Sequence, residues 1–191
     1  MHFKPKRGIP LTIALMAVCT TMFILQLILP FDSFYFVPAK AFPRPWTFVT
    51  SIFLHADLEH LLFNMIALLV FGSYLEARVS KKKFLLIFFV SGIVGNIGYM
   101  VTAPTLTTPG LGASGAIYGI MGALAVIEPF ATVYISYMPM PMIMAAFIWA
   151  LTEFLGLFVP SNIARGAHLG GLFFGIFYGL YLRRVTKRVR S

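Results

Sequence analysis

Apolar residues in this chain come in runs, with charges, prolines and glycine clusters between the runs. Six runs stand out, at residues 9–29, 57–77, 84–101, 114–127, 142–159 and 167–182, and each reads as a helix. The predicted fold is therefore all-α: a polytopic membrane protein with six transmembrane helices. The first run is long enough to cross roughly 30 Å of hydrocarbon. It is too long for the apolar core of a signal peptide and lacks a clear small-residue cleavage site, so it reads as a retained span. The fourth run is different. Fourteen residues make a helix of about 21 Å, too short to cross alone, which predicts a short central fourth helix. Irregular backbone survives at membrane depth only when buried in protein or lining water, so the loop at 102–113 is expected to dip inward to meet Ser114.

Composition agrees with the pattern. Of 191 residues 59% are hydrophobic and 11% charged, and the mean hydropathy is +0.88, values far from those of a soluble domain. No stretch is polar enough for a second domain, so residues 1–191 read as a single membrane domain, with a basic arm at 1–8 and a basic tail at 183–191. The net charge of +9 does not point to nucleic acid, because Lys and Arg cap the apolar runs rather than sharing one polar face. With six spans, 12 of the 15 Lys and Arg fall on the side of the two termini, and Lys40, Arg44 and Arg165 on the other. The positive-inside rule then makes both termini cytoplasmic, in a multi-pass protein of the cell membrane. The lone Cys19 offers neither a disulfide framework nor a thiol cluster.

Two connecting stretches have their own character. Residues 31–54 combine Pro38, Pro43 and Pro45 with Phe34, Tyr35, Phe36, Phe42 and Trp46, a composition suited to a loop at the membrane interface. Residues 128–137 read as a short connection, and Met138, Met140 and Met142, alternating with Pro139 and Pro141, as adaptable packing where the fifth helix begins. On the third run Ser91, Gly92, Gly95, Asn96 and Gly98 form a small-residue face. Gly171, Gly175 and Gly179 recur every fourth residue on the sixth, and Gly115, Gly119 and Gly122 match them on the fourth. Packing these last two surfaces together would bring His168 toward Ser114.

The candidate chemistry centres on Ser114, set between Gly112-Ala113 and Gly115 at the mouth of the fourth run. By itself this serine is either a helix N-cap or a nucleophile. With both termini inside, His60, Asn64, Ser114 and His168 all fall near the outer ends of their helices, and polar residues at one membrane depth mark a functional site. His168 is a suitable base for the Ser114 hydroxyl. The Ser114 amide, the Asn64 side-chain amide and a His60 ring N–H can serve a tetrahedral oxyanion. No carboxylate neighbours either residue in sequence and Glu153 is the only acidic candidate on a neighbouring run, so a Ser-His dyad rather than a triad is expected. Glu153 is read as facing a wet cavity or snorkelling outward, and Tyr118 as packing on the imidazole. His55 and His60 are five residues apart and no HExxH helix is present, so neither a metal nor another cofactor is expected. A small proton-coupled transporter using His60, Glu153 and His168 is disfavoured by the lack of a clear internal repeat with paired broken helices.

Nearly the whole chain resembles the rhomboid family of intramembrane serine proteases, in its six-span prokaryotic form. His60-Leu61-Leu62-Phe63-Asn64 is similar to the family's second-span motif, Gly112-Ala113-Ser114-Gly115 to its nucleophile motif, and Gly166-Ala167-His168 with the following glycines to its general-base helix. The resemblance implies Ser114 as nucleophile and His168 as general base. It further implies His60, Asn64 and the Ser114 backbone as the oxyanion hole, with Tyr118 and Gly112 in support and His55 in a structural role. Phe63 and Trp149 match bulky positions between the second and fifth helices, where they would form a substrate gate. The implied activity is endoproteolysis in or beside the transmembrane segments of membrane-protein substrates. A catalytically inactive relative that only binds such segments is the alternative, disfavoured because Ser114 and His168 are both present. Trp46 is followed by Thr47, where many members carry Arg.

Overall fold

The computed structural model describes residues 10–190 apart from 136, 160 and 162, with side chains as far as residue 185. The basic arm lies outside the described residues. Six long helices dominate: α1 Leu11–Gln26, α2 Leu58–Glu76, α3 Lys81–Thr102, α4 Ser114–Ile127, α5 Met142–Gly156 and α6 Arg165–Arg190. Among the described residues, α2 and α3 are long and apolar enough to cross a membrane unaided, and α1, α4 and α5 are shorter apolar helices. Large apolar side chains, among them Leu62, Phe63, Ile66, Phe147, Phe173 and Phe177, point outward. An apolar wall of that extent suits lipid rather than water.

α4 sits at the centre. From Gly115 to Ala125 every residue but Tyr118 is buried. Against it lies α6, and the spacing of glycines sets how close the two can come: a methyl group added at Gly171 would collide with the Gly115 carbonyl, and one at Gly175 with that of Gly119. Side chains larger than hydrogen at those positions would force the backbones apart. The expected small-residue seam is thus a direct backbone contact.

Helix ends are tied by side chains that the apolar pattern alone does not reveal. The Glu76 carboxylate, at the end of α2, accepts hydrogen bonds from the backbone N–H groups of Leu11 and Thr12 at 2.8 and 2.9 Å and from the Thr12 hydroxyl at 2.9 Å. It satisfies the orphan donors of α1 with a charge suited to a helix N-terminus. At the other end of α1 the Gln26 amide brackets His55, donating to its carbonyl at 3.2 Å and accepting from its N–H at 3.1 Å. Asp57 caps α2 by accepting from the His60 N–H at 2.7 Å, and residues 68–72 of that helix widen into a π-turn.

The stretch after α4 departs from the all-α expectation. Instead of a plain connection, β1 Thr132–Ile135 and β2 Met138–Pro141 form an antiparallel hairpin that pairs Thr132 with Pro141 and Ile135 with Met138. Alternating prolines that cannot join a helix ladder are tolerated on a two-stranded edge. Met142 is buried at the start of α5, whereas Met138 is exposed.

The aromatic loop ahead of α2 is only partly interfacial. Phe42 is exposed, but Phe36 is fully buried with Ala41, Tyr99 and Ala167. The Trp46 indole N–H donates to the Ser33 carbonyl at 3.0 Å, the buried Thr47 hydroxyl to the Arg44 carbonyl at 2.7 Å, and the Asn96 amide on α3 to both the Phe48 carbonyl and the Ser51 hydroxyl at 2.9 Å.

Candidate active site

Ser114 is the first residue of α4, and its hydroxyl is not a cap. Ala113 occupies the N-cap position without any side-chain cap bond, while Ser114 Oγ lies 2.8 Å from His168 Nε2. The close α4–α6 approach explains the meeting, because His168 stands one turn before Gly171 on the helix that the Gly115 carbonyl touches.

The loop before Ser114 is held in a shape that needs glycine. Gly112 has φ of 121°, donates its N–H to the Ser51 carbonyl at 2.9 Å, and lies so close to His60 that a Cβ there would fall 2.7 Å from Cε1 and Nε2 of that ring. His60 Nδ1 accepts from the Ala56 N–H at a long 3.4 Å. An acceptor at Nδ1 leaves the proton on Nε2, the nitrogen beside Gly112. Asn64, one turn on and buried, donates from Nδ2 to the His60 carbonyl at 2.8 Å, which uses one of its two amide protons.

His55 packs edge-on to His60 with centroids 5.2 Å apart and is almost fully buried in the connection before α2. Burial and the neighbouring His60 hold its imidazole down at about 4, against opposing effects of the Phe53 backbone and Asp57.

On the other face of the imidazole the structure departs from the sequence reading. Tyr118 stacks on His168, with centroids 4.4 Å apart and planes within 5°. Glu153 is neither snorkelling nor facing open water. It is buried on α5, where Oε1 accepts the Tyr118 hydroxyl at 2.7 Å and approaches His168 Nδ1 to 3.1 Å, while Oε2 lies 3.4 Å from Arg165 Nη1. The approach to Nδ1 falls off the line of the ring N–H, so it is a close polar contact rather than an aligned hydrogen bond. The reading of Glu153 as facing a wet cavity or snorkelling outward is thereby corrected. Sequence distance misled because Glu153 comes from a separate helix, 15 residues ahead of His168. The usable signals were an ionisable residue inside an apolar run and Arg165, one turn before His168.

Phe63 and Trp149 are not paired with each other. Trp149 meets Phe71 edge-on, with centroids 5.6 Å apart, and Phe63 stands exposed two turns earlier on α2.

Comparison with known proteins points to one family. The family model described as the Rhomboid domain matches residues 43–185, which include every residue placed around Ser114. YdcA, a rhomboid-family protein of Bacillus subtilis (strain 168), is 41% identical over 127 residues, covering 66% of this chain and 62% of its own length. The rhomboid protease GluP of the same strain is 37% identical over 133 residues, covering 69% of this chain and 25% of its own. The rhomboid protease GlpG of Yersinia pseudotuberculosis is 25% identical over 190 residues, covering 94% of this chain and 65% of its own. The chain thus spans from a quarter to about two thirds of the length of these relatives. With three quarters of its residues inside the family match, the chain belongs to the rhomboid family of integral membrane proteins.

Proposed function

We propose that this chain is an intramembrane serine endopeptidase that cleaves peptide bonds in or beside the transmembrane segments of membrane-protein substrates. The observation that carries the reading is the 2.8 Å contact between Ser114 Oγ and His168 Nε2, made between two helices inside an apolar bundle. Nε2 takes the hydroxyl proton as Oγ attacks the scissile carbonyl, and returns it to the leaving amine as the carbon–nitrogen bond breaks. Water then attacks the acyl-enzyme by the same proton route. The developing oxyanion is met by the Ser114 N–H, free at the first turn of α4, by the second Asn64 amide proton and by His60 Nε2–H. Tyr118 stacks on the base, and Gly112 gives His60 room.

The bundle is a single domain of six spans, with the short α4 enclosed by the others, both termini cytoplasmic and Ser114 toward the outer face. The charge asymmetry and the apolar outer wall support this topology. Substrate enters between α2 and α5, where rings rather than backbones close the seam, and Trp149 with Phe63 control access.

A cleavage assay in liposomes against a single-span substrate tests the proposal. Product is expected from the intact protein and none from Ser114→Ala or His168→Ala. Undiminished cleavage by folded Ser114→Ala would overturn the reading, and a folded intact chain that binds the segment without cleaving it would favour the inactive relative.

A further inference from the structure

The carboxylate of Glu153 is the point where three helices meet at the base. From α5 it reaches Tyr118 on α4 and both Arg165 and His168 on α6. Isolated in an apolar run, such a group is costly to bury. Here each oxygen has a cationic or hydroxyl partner. Gly156, one turn further along α5, makes room for the guanidinium: a Cβ there would collide with Arg165. The ring of His168 is confined on one face by Tyr118, at one edge by Ser114 Oγ and at the opposite edge by Glu153 Oε1.

A base that accepts the Ser114 proton at Nε2 must carry its own proton on Nδ1, and an acceptor beside Nδ1 selects that tautomer. We propose that Glu153 is a positioning residue that holds His168 as the Nδ1–H tautomer, with Arg165 as its counter-charge, so that the pair of Ser114 and His168 is completed by a carboxylate from α5. This rests on the protease reading above. The off-line approach of Oε1 to Nδ1 suits a contact that tightens when the ring becomes an imidazolium during proton transfer.

The test is Glu153→Gln, chosen because the amide keeps the shape. Its oxygen will turn to Arg165, which only donates, and its NH2 then faces Nδ1 and favours the tautomer that cannot take the serine proton. Nitrogen NMR of 15N-histidine-labelled protein, with His168→Ala to assign the ring, reads the tautomer without any need for turnover. Liposome assays of the same samples separate kcat from KM. The expected result is an Nδ1–H ring in the intact protein, its loss in Glu153→Gln, and a fall in kcat of roughly 100-fold or more with KM little changed. Glu153→Asp keeps the charge and is expected to recover part of kcat, which a purely structural tie between α5 and α6 would not require. An unchanged tautomer and unchanged kcat in folded Glu153→Gln would overturn the inference while leaving the protease reading intact. A Glu153-dependent tautomer in a chain that cleaves nothing would do the reverse.

Discussion

Between α4 and α6 the backbones meet through glycine, with carbonyls of one helix resting where side chains of the other are missing. Between α2 and α5 the contact is made by rings, Phe71 against Trp149. An apolar cavity of about 340 Å³ opens beside it, lined by Val70, Phe71, Leu124, Val133 and Met142. The first seam has no slack, because backbone-to-backbone contact admits few alternative packings. The second can open by rotating side chains. Under the proposed function, a protein that holds Ser114 and His168 at 2.8 Å and also admits a helix from the side would use both kinds of seam, kept apart.

Filling the tight seam should do the most damage. Gly171→Val puts two methyl groups against the Gly115 carbonyl. It is expected to cost about 3 kcal/mol or more and to abolish cleavage by withdrawing His168 from Ser114. Thermal unfolding in detergent and fluorophosphonate labelling check this together; a stable, fully labelled variant would contradict the rigid seam.

A comparable but pH-dependent effect is expected at the start of α2. His55 is neutral when buried, at about 4 against a usual 6.5, and His60 and Asp57 are the titratable groups facing it. The unfolded chain takes up the proton first as pH falls, so the stability is complete above about 6.5 and is lost on acidification toward 4, to a total of about 3 kcal/mol. Melting temperature followed from pH 7.5 to 4.5 should fall in that window, and should fall less for His55→Gln.

Smaller changes are expected at the ring-lined seam. Trp149→Ala removes packing worth about 1 to 3 kcal/mol and is expected to raise cleavage of a membrane-embedded substrate while lowering the melting temperature. Phe63→Ala, at an exposed ring, should alter stability least and cleavage only modestly. Unchanged or lower cleavage by both variants, with normal fluorophosphonate labelling, would place the entrance elsewhere.

Much of this contrast was legible in the chain. The glycines at every fourth residue after His168 and the matching ones after Ser114 announced the tight seam, because small residues at helical spacing have one structural use in an apolar helix. The central, short α4 followed from arithmetic on fourteen residues. What could not be read were contacts set by how helices rotate against one another. Glu76 reaches α1 across more than sixty residues, and Trp149 settles on Phe71 rather than Phe63, because either ring lies on a plausible face. Glu153 falls in the same class: its run reveals an ionisable residue, but only the packing of α5 on α6 brings it to the Nδ1 edge of His168. The hairpin at Thr132–Pro141 was hidden by a composition that fits a loop equally well.

Mass spectrometry after treatment with a fluorophosphonate asks directly whether the 2.8 Å pair is chemically active. The expected result is a single adduct on Ser114 in the intact, liposome-embedded protein and none on the same peptide in folded His168→Ala. An adduct on another serine, or equal labelling of Ser114 without His168, would contradict a serine nucleophile activated by that histidine.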